Sequence, residues 1–344
     1  MTDAVRVGLV GYGMAGRDFH APLLRATEGL SVTQVVTGNP ERAAAARQEL
    51  GGAHVVSTYD DLLAAAGELD LVVLATPTQL HAEQAIAAIE RGVAVVVDKP
   101  LATNLVDAQR VVELAATRGV PVTTFQNRRW DSEHLTAKRL LAEGAIGDVV
   151  RYEARYERWR PQPKDRWREN LTTEQGGGQL HDLQSHLVDG AVDLFGPVTS
   201  VYAELAALTT AGDDVTFLAV EHRSGIRSHL GATSLAGVNG PRTRLLGCAG
   251  AYLVANVADE TTPHADWRDA DDEHRGWLVR GTLREPVRRQ PGSAAAFYPA
   301  VVTAIRDGAP MPVDVRDSVH VVEVLEAARR SARDGMTVRM DGTT

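Results

Sequence analysis

Asp182 and His186 stand four residues apart in Gly176-Gly177-Gly178-Gln179-Leu180-His181-Asp182-Leu183-Gln184-Ser185-His186, behind a run of three glycines. On a helix that spacing puts both side chains on one face. A carboxylate there can orient an imidazole and support its protonated form, and histidine titrates near neutrality. The pair therefore suits general acid–base work on an alcohol/carbonyl couple. The same spacing also describes an exposed helix salt pair. A metal site made from His181, Asp182 and His186 is disfavoured, because His181 and His186 are five apart and fall on different faces. No metal is expected.

A second candidate is Asp98-Lys99-Pro100, directly after the apolar run Val93 to Val97. Proline disfavours helical geometry at the residue before it. Lys99 thus sits at the carboxyl end of a strand, where open α/β sheets place their ligands. A lysine there can bond a substrate hydroxyl or polarise a carbonyl.

The third is Gly11-Tyr12-Gly13-Met14-Ala15-Gly16, a G-x-G-x-x-G between the first strand and a helix. Its glycines permit a tight turn, backbone approach to a pyrophosphate and close helix–strand packing. The end of the second strand discriminates between cofactors. Sites for NAD usually carry an acid there, whereas this chain has Thr37-Gly38-Asn39-Pro40-Glu41-Arg42. Thr37 and Asn39 can donate hydrogen bonds, and Arg42 can pair with a 2′-phosphate. NADP(H) is the expected cofactor, with NAD(H) the alternative.

These residues need elements to hold them. Up to about residue 127, Val/Leu-rich strands alternate with helical patterns: a strand at 5–10, a helix at 18–27, a strand at 32–37, and so on to a strand at 122–125. That pattern describes a parallel sheet covered on both faces. Beyond it, segments with period-two alternation at 149–156, 198–206, 215–222, 226–233 and 243–247 predict a mostly antiparallel sheet, interrupted by a helix over 180–194. Two further helices are expected at 296–306 and 318–332, and 256–294 has no clear pattern. The predicted fold is α/β plus α+β: a Rossmann dinucleotide-binding domain over 1–127, then a domain over 128–344 with a large, mostly antiparallel open sheet.

Composition removes other classes. The 344 residues carry a net charge of −9 and no long basic block, which disfavours nucleic acid and anionic membranes as partners. No apolar run approaches the ~20 residues of a membrane span. Met1-Thr2-Asp3 leads straight into a strand-like segment, so no signal peptide is expected. The single Cys248 excludes an intramolecular disulfide and suits a reducing cytoplasm. Of 36 basic residues only Lys99, Lys138 and Lys164 are lysine. In a chain so biased to arginine, lysine at position 99 points to a need for a compact, titratable amine.

The motifs together resemble the Gfo/Idh/MocA oxidoreductase family: the loop 11–16, Ala75-Thr76-Pro77 with His81, Asp98-Lys99-Pro100, Asp182 with His186, and the stretch from Pro312-Val313 to Gly335. Within it the chain is similar to NADP-dependent scyllo-inositol dehydrogenases and related sugar reductases, through Phe19-His20-Ala21-Pro22-Leu23, Gln126-Asn127-Arg128-Arg129-Trp130-Asp131, and Arg158-Trp159-Arg160-Pro161 with Arg166-Trp167-Arg168. The resemblance implies that Lys99 contacts the reacting oxygen and the nicotinamide region, that His186 accepts the proton and that Asp182 is its partner. It implies that Thr76, Pro77, Leu80 and His81 line the adenosine–pyrophosphate path, and that Gln126, Arg128, Trp167 and Arg168 approach the cofactor. It also implies a homodimer or homotetramer through the second sheet. Gln184 replaces a family glycine, which draws it, with Arg128 and Trp159, into the expected substrate wall. Trp159 and Trp167 have two readings: stacking on a sugar ring, or covering a sheet edge.

The expected function is a cytoplasmic, NADP(H)-dependent dehydrogenase or reductase that interconverts a secondary alcohol and a carbonyl on a cyclic polyol or sugar-like substrate. The rivals are redox-assisted glycoside cleavage and a non-catalytic dinucleotide sensor.

Overall fold

The computed structural model of the protein describes residues 4–255 and 267–340. The first three residues, on which the absence of a signal peptide rests, and residues 256–266 of the patternless stretch lie outside them. The chain divides into two compact units: residues up to Asn127 with Ala294–Val322, and Arg128–Ser293 with the residues from Glu323 onward.

In the first unit, strands β1 (Val5–Val10), β2 (Leu30–Val36), β3 (His54–Val56), β4 (Leu71–Leu74), β5 (Ala94–Asp98) and β6 (Val122–Phe125) form one sheet in the order β3-β2-β1-β4-β5-β6. Every neighbouring pair is parallel. All of β4, and β5 up to Val97, is buried, which is why these segments are unbroken Val/Leu/Ala runs. The strands are linked by α1 (Ala21–Ala26), α2 (Pro40–Glu49), α3 (Tyr59–Ala64), α4 (His81–Glu90) and α5 (Leu105–Arg118). Asn104 caps α5 by accepting from the Asp107 N–H, and left-handed Gly119 (φ 65°) ends it. The first helical segment begins earlier than its apolar pattern suggests. Ala15–His20 is wound as a π-helical stretch that runs into α1.

The segment Ala294–Val322 also packs in this unit. Phe297 and Tyr298 are fully buried, and the Phe297 ring meets Phe125 edge-on at 4.9 Å. The Thr123 hydroxyl donates to the Val313 carbonyl at 2.8 Å. A division into 1–127 and 128–344 leaves this segment on the other side, because the aromatic packing that draws it back has no local sequence signature.

Among the described residues the second unit holds nine strands: β7 (Val149–Glu157), β8 (Val198–Ala206), β9 (Val215–His222), β10 (Arg227–Thr233), β11 (Thr243–Gly247), β12 (Gly250–Val254), β13 (His274–Arg280), β14 (Leu283–Arg288) and β15 (Val338–Arg339). Their order is β14-β13-β12-β11-β7-β10-β9-β8-β15. The β7–β10 pair is parallel and the others are antiparallel. Period two is plain in β9, where Thr216, Leu218, Val220 and His222 are buried. It is absent from β14, where Leu283, Arg284, Glu285 and Pro286 are all exposed, so the β13–β14 hairpin leaves no apolar rhythm in the sequence. Two helices matter for the site: α6 (Ser132–Ala142) and α7 (Ser185–Phe195), the latter preceded by a π-helical turn over Leu180–Gln184. Leu187, Val188, Ala191, Val192 and Phe195 form its buried stripe.

Candidate active site

The glycine loop has the shape its spacing requires. Gly11 adopts φ 94°, and a Cβ there would lie 2.7 Å from the Ala75 carbonyl oxygen. A Cβ on Gly16 would lie 1.9 Å from the Gly11 carbonyl oxygen, so only glycine lets the helical segment leave the loop so closely. The Tyr12 side chain is buried, and its hydroxyl donates to Glu49 Oε2 at 2.8 Å. Met14 is exposed and Ala15 half-buried at the loop's outer edge. Asn39 Oδ1 accepts from the Arg42 N–H at 2.9 Å and caps α2, while the nearly buried Thr37 hydroxyl accepts from the Asn39 N–H at 3.4 Å. Asn39 Oδ1 and the Thr37 hydroxyl thus shape the turn. The Arg42 guanidinium lies across the loop, with Nη1 3.5 Å from where a Gly13 Cβ would stand.

Lys99 follows β5 through a cis peptide to Pro100 and is nearly buried, at 9% exposure. Its backbone is held from both sides. Asp98 Oδ1 accepts from the Lys99 N–H at 2.9 Å. On the other side the fully buried His81 ring bridges the Pro100 carbonyl (2.8 Å) and the Thr76 carbonyl (2.9 Å). Burial favours the neutral ring, whose single N–H serves one of these carbonyls at a time, so His81 sits as a link between the two segments. The Thr76 hydroxyl donates to Gln84 Oε1 at 2.6 Å, and Leu80 is exposed beside it.

Behind Asp98 lies a pair to which the sequence assigns no role. His20 is fully buried, with Nδ1 2.6 Å from the Tyr298 hydroxyl and Nε2 3.9 Å from Asp98 Oδ1. Burial keeps Tyr298 protonated, so it donates to Nδ1 and turns the Nε2 side of the ring to Asp98. Burial alone would raise Asp98, but His20, Lys99 and His81 outweigh it and hold the carboxyl well below the usual range. Gln126 closes the same sheet end. It is buried, and neither end of its side-chain amide has a hydrogen-bond partner among the described residues. Such an orphaned amide is costly unless a ligand satisfies it. With the glycine cradle, it fits a bound nicotinamide dinucleotide.

In the second unit, the Leu180 N–H donates to Asp213 Oδ2 at 2.6 Å, which fixes the start of the π-helical turn. Burial pushes the Asp213 carboxyl up to about 6 against the bonds it accepts. Asp182 and His186 open onto different pockets. Asp182 shares one with Arg158, Arg160, Arg166 and Arg168, and its Oδ1 is 3.4 Å from Arg168 Nε. His186 lines another with Arg128, Tyr156 and Arg242. There the Arg242 guanidinium stacks 3.6 Å from the centre of the Tyr156 ring, and the His186 ring lies 6.3 Å from that ring. Arg128 Nη1 bonds Asp131 Oδ2 at 3.0 Å.

Two expected substrate contacts stand elsewhere. Trp159 is 57% exposed and lies against Gly237, with Leu235 bridged to it across the backbone. Trp167 instead carries the Arg168 guanidinium over its ring at 4.9 Å. Gln184 is fully buried, and its Nε2 donates to Thr216 Oγ1 and to the Leu230 carbonyl, both at 3.0 Å. It ties the π-helical turn to β9 and β10, while its buried Oε1 has no hydrogen-bond partner among the described residues. Gln184→Ala should therefore cost about 1–3 kcal/mol in stability. Chemical denaturation together with kinetics checks this; a raised KM at unchanged stability would return Gln184 to the substrate. Among the described residues no cluster of three or more His, Cys, Asp or Glu could hold a metal ion, and no helix is long and apolar enough to cross a membrane.

Known proteins share this fold. Residues 5–126 match the family described as "Oxidoreductase family, NAD-binding Rossmann fold", and residues 138–340 match its "C-terminal alpha/beta domain". The chain belongs to the Gfo/Idh/MocA oxidoreductase family. Its relatives include scyllo-inositol 2-dehydrogenase (NADP(+)) IolW of Bacillus subtilis, 29% identical over 98% of this chain and 97% of that protein. The uncharacterized oxidoreductase YdgJ of Escherichia coli is 34% identical over 98% and 99%. Among solved structures, the YPO2259 putative oxidoreductase from Yersinia pestis superposes with a TM-score of 0.86 at 34% identity, covering 100% of this chain and 99% of that one. For a Gfo/Idh/MocA member, Tyr156 and Arg242 are the pocket residues that sequence reasoning missed. Tyr156 was within reach, since the alternation of β7 buries Tyr152, Ala154 and Tyr156 together. Arg242 carried no signal, because its partner ring is far away in the chain.

Proposed function

We propose that this protein is an NADP(H)-dependent dehydrogenase or reductase that interconverts a secondary alcohol and a ketone or aldehyde on a cyclic polyol or sugar-like substrate. One observation carries the reading. A dinucleotide cradle and a nearly buried, doubly braced lysine stand at the carboxyl ends of strands of a single parallel sheet. The relatives add support, among them the inositol dehydrogenase above and a D-apiose dehydrogenase of Paraburkholderia graminis.

The bound nicotinamide would supply the hydride acceptor or donor. In the oxidising direction Lys99 bonds the reacting hydroxyl oxygen and stabilises the negative charge that grows on it. His186 takes the hydroxyl proton, and Asp182 supports the charged imidazole. The carbinol C–H bond breaks as the hydride leaves, and the C–O bond becomes a carbonyl. In reduction the same proton returns from His186. Arg128 lines the His186 pocket as a substrate contact, and Gln126 presents its amide to the cofactor.

Arg42 would hold the 2′-phosphate. Arg42→Ala should raise the KM for NADP(H) about 10- to 100-fold, the worth of a charge-assisted pair, and leave that for NAD(H) nearly unchanged. Steady-state kinetics with both cofactors decides it; equal or better efficiency of the parent enzyme with NAD would overturn the preference. A screen of inositols, aldoses and keto-sugars, read at the nicotinamide absorbance, tests the activity itself. Assembly through the open sheet of the second unit, where Val150 and Tyr202 are exposed, belongs to the same proposal and is tested by light scattering.

A further inference from the structure

The pocket that Asp182 shares with the arginines has an uneven charge. Arg158, Arg160, Lys164, Arg166 and Arg168 line it, against Glu169, Asp182 and Asp213. Two of those acids are already engaged, Glu169 with Arg166 and Asp182 with Arg168. The third, Asp213, is buried beneath the turn it caps, and burial holds its carboxyl up at about 6. Arg158, Arg160 and Lys164 form no ion pair with any described carboxylate. Arg158 and Arg160 are two residues apart on an extended segment whose backbone bonds to Thr233 and Ser234, so both side chains point the same way, opposite to Trp159. Arg158 is half-buried, and burial together with the neighbouring Arg160 charge weighs against its ionised form. Arg160 is exposed, and Asp182 offsets part of the cost at Arg158, yet two like charges on one side of the segment still favour an anion that joins them. The chain as a whole carries a net charge of −9, so this concentration of positive charge is a local feature.

We propose that Arg158, Arg160 and Lys164 form an oxyanion subsite for the substrate, so that the polyol or sugar oxidised here bears a carboxylate or phosphate ester. Guanidinium forks match both groups. The inference rests on the reading of Asp182 as a member of the proton-handling set, because that residue ties the cavity to the chemistry. It narrows the substrate class from neutral polyols to sugar acids or sugar phosphates.

The test compares myo-inositol, D-glucose, D-glucuronate and glucose 6-phosphate as substrates of the full-length enzyme, with Arg158→Gln/Arg160→Gln and the exposed single variant Arg160→Gln beside it. Calorimetry with D-glucuronate and with inorganic phosphate measures binding without turnover. An anionic member should exceed its neutral counterpart in kcat/KM by about tenfold or more. The double variant should remove about 10- to 100-fold of that, and Arg160→Gln a part of it, with rates on the neutral compounds and the Kd for NADP(H) unchanged. Whether glucuronate or glucose 6-phosphate gains the more identifies the group. Equal efficiency on neutral and anionic compounds overturns the proposal, as does a loss that appears in NADP(H) binding, which would assign these charges to the cofactor. If Arg160-dependent anion binding occurs with no turnover of any compound, the subsite stands and the dehydrogenase reading falls. If neutral polyols turn over without anion binding, the reverse holds.

Discussion

Lys99→Met should lower kcat by about 10²- to 10³-fold, the range set by loss of one positioned donor to the charge that grows on the reacting oxygen. Methionine keeps most of the length and apolar volume of the lysine stem, and that stem is nearly buried. The two braces on the segment act through backbone atoms, the Lys99 N–H and the Pro100 carbonyl, and so survive the substitution. The change thus removes the ammonium and little else. The Kd for NADP(H), read by fluorescence of the reduced cofactor, should stay within about threefold of the parent value. Turnover near the parent rate would remove Lys99 from the chemistry. Lys99→Arg is the sharper control. Arginine keeps the charge but is bulkier and forked, so it should leave cofactor affinity unchanged and restore little of the rate.

The second large effect is expected at His186. His186→Asn should lower kcat/KM for alcohol oxidation by about 10²- to 10³-fold and abolish the acid limb of its pH profile. The sign follows from the role: an imidazole must be neutral to take the hydroxyl proton, so oxidation slows as the pH falls and the ring becomes charged. Asparagine cannot titrate, so the residual rate should lose that dependence. Asp182→Asn should have the smaller effect of the two, because it removes support for the imidazolium and leaves the acceptor in place. An intact acid limb in His186→Asn would give the proton to another group, and Tyr156 in the same pocket would be the first to examine.

Much of the fold and part of the candidate site are legible in the sequence by itself. Gly11, Gly13 and Gly16 declare a phosphate-binding turn because only glycine tolerates approaches as close as the 1.9 Å that a Gly16 Cβ would leave to Gly11 O. The Val/Leu runs at 71–74 and 94–97 declare a sheet buried on both faces, and the alternation at 149–157 and 215–222 declares one with two unlike faces. These signals are local, since the residues that carry them lie within one strand or one turn. The same holds for Lys99, whose proline neighbour and preceding strand mark its place.

Only the tertiary structure decided what side chains distant in sequence do to one another. Gln184 is drawn toward the substrate by the family glycine it replaces, yet its Nε2 donates to β9 and β10, 32 and 46 residues away. His20 has no local clue to its role, and it meets Tyr298 across a separation of 278 residues. The return of Ala294–Val322 to the first unit and the stacking of Arg242 on Tyr156 are of the same kind. Periodicity and turn chemistry act over a few residues and are written in the sequence. Which buried polar group satisfies which is settled only when the chain closes on itself, because every candidate partner competes until the core excludes water.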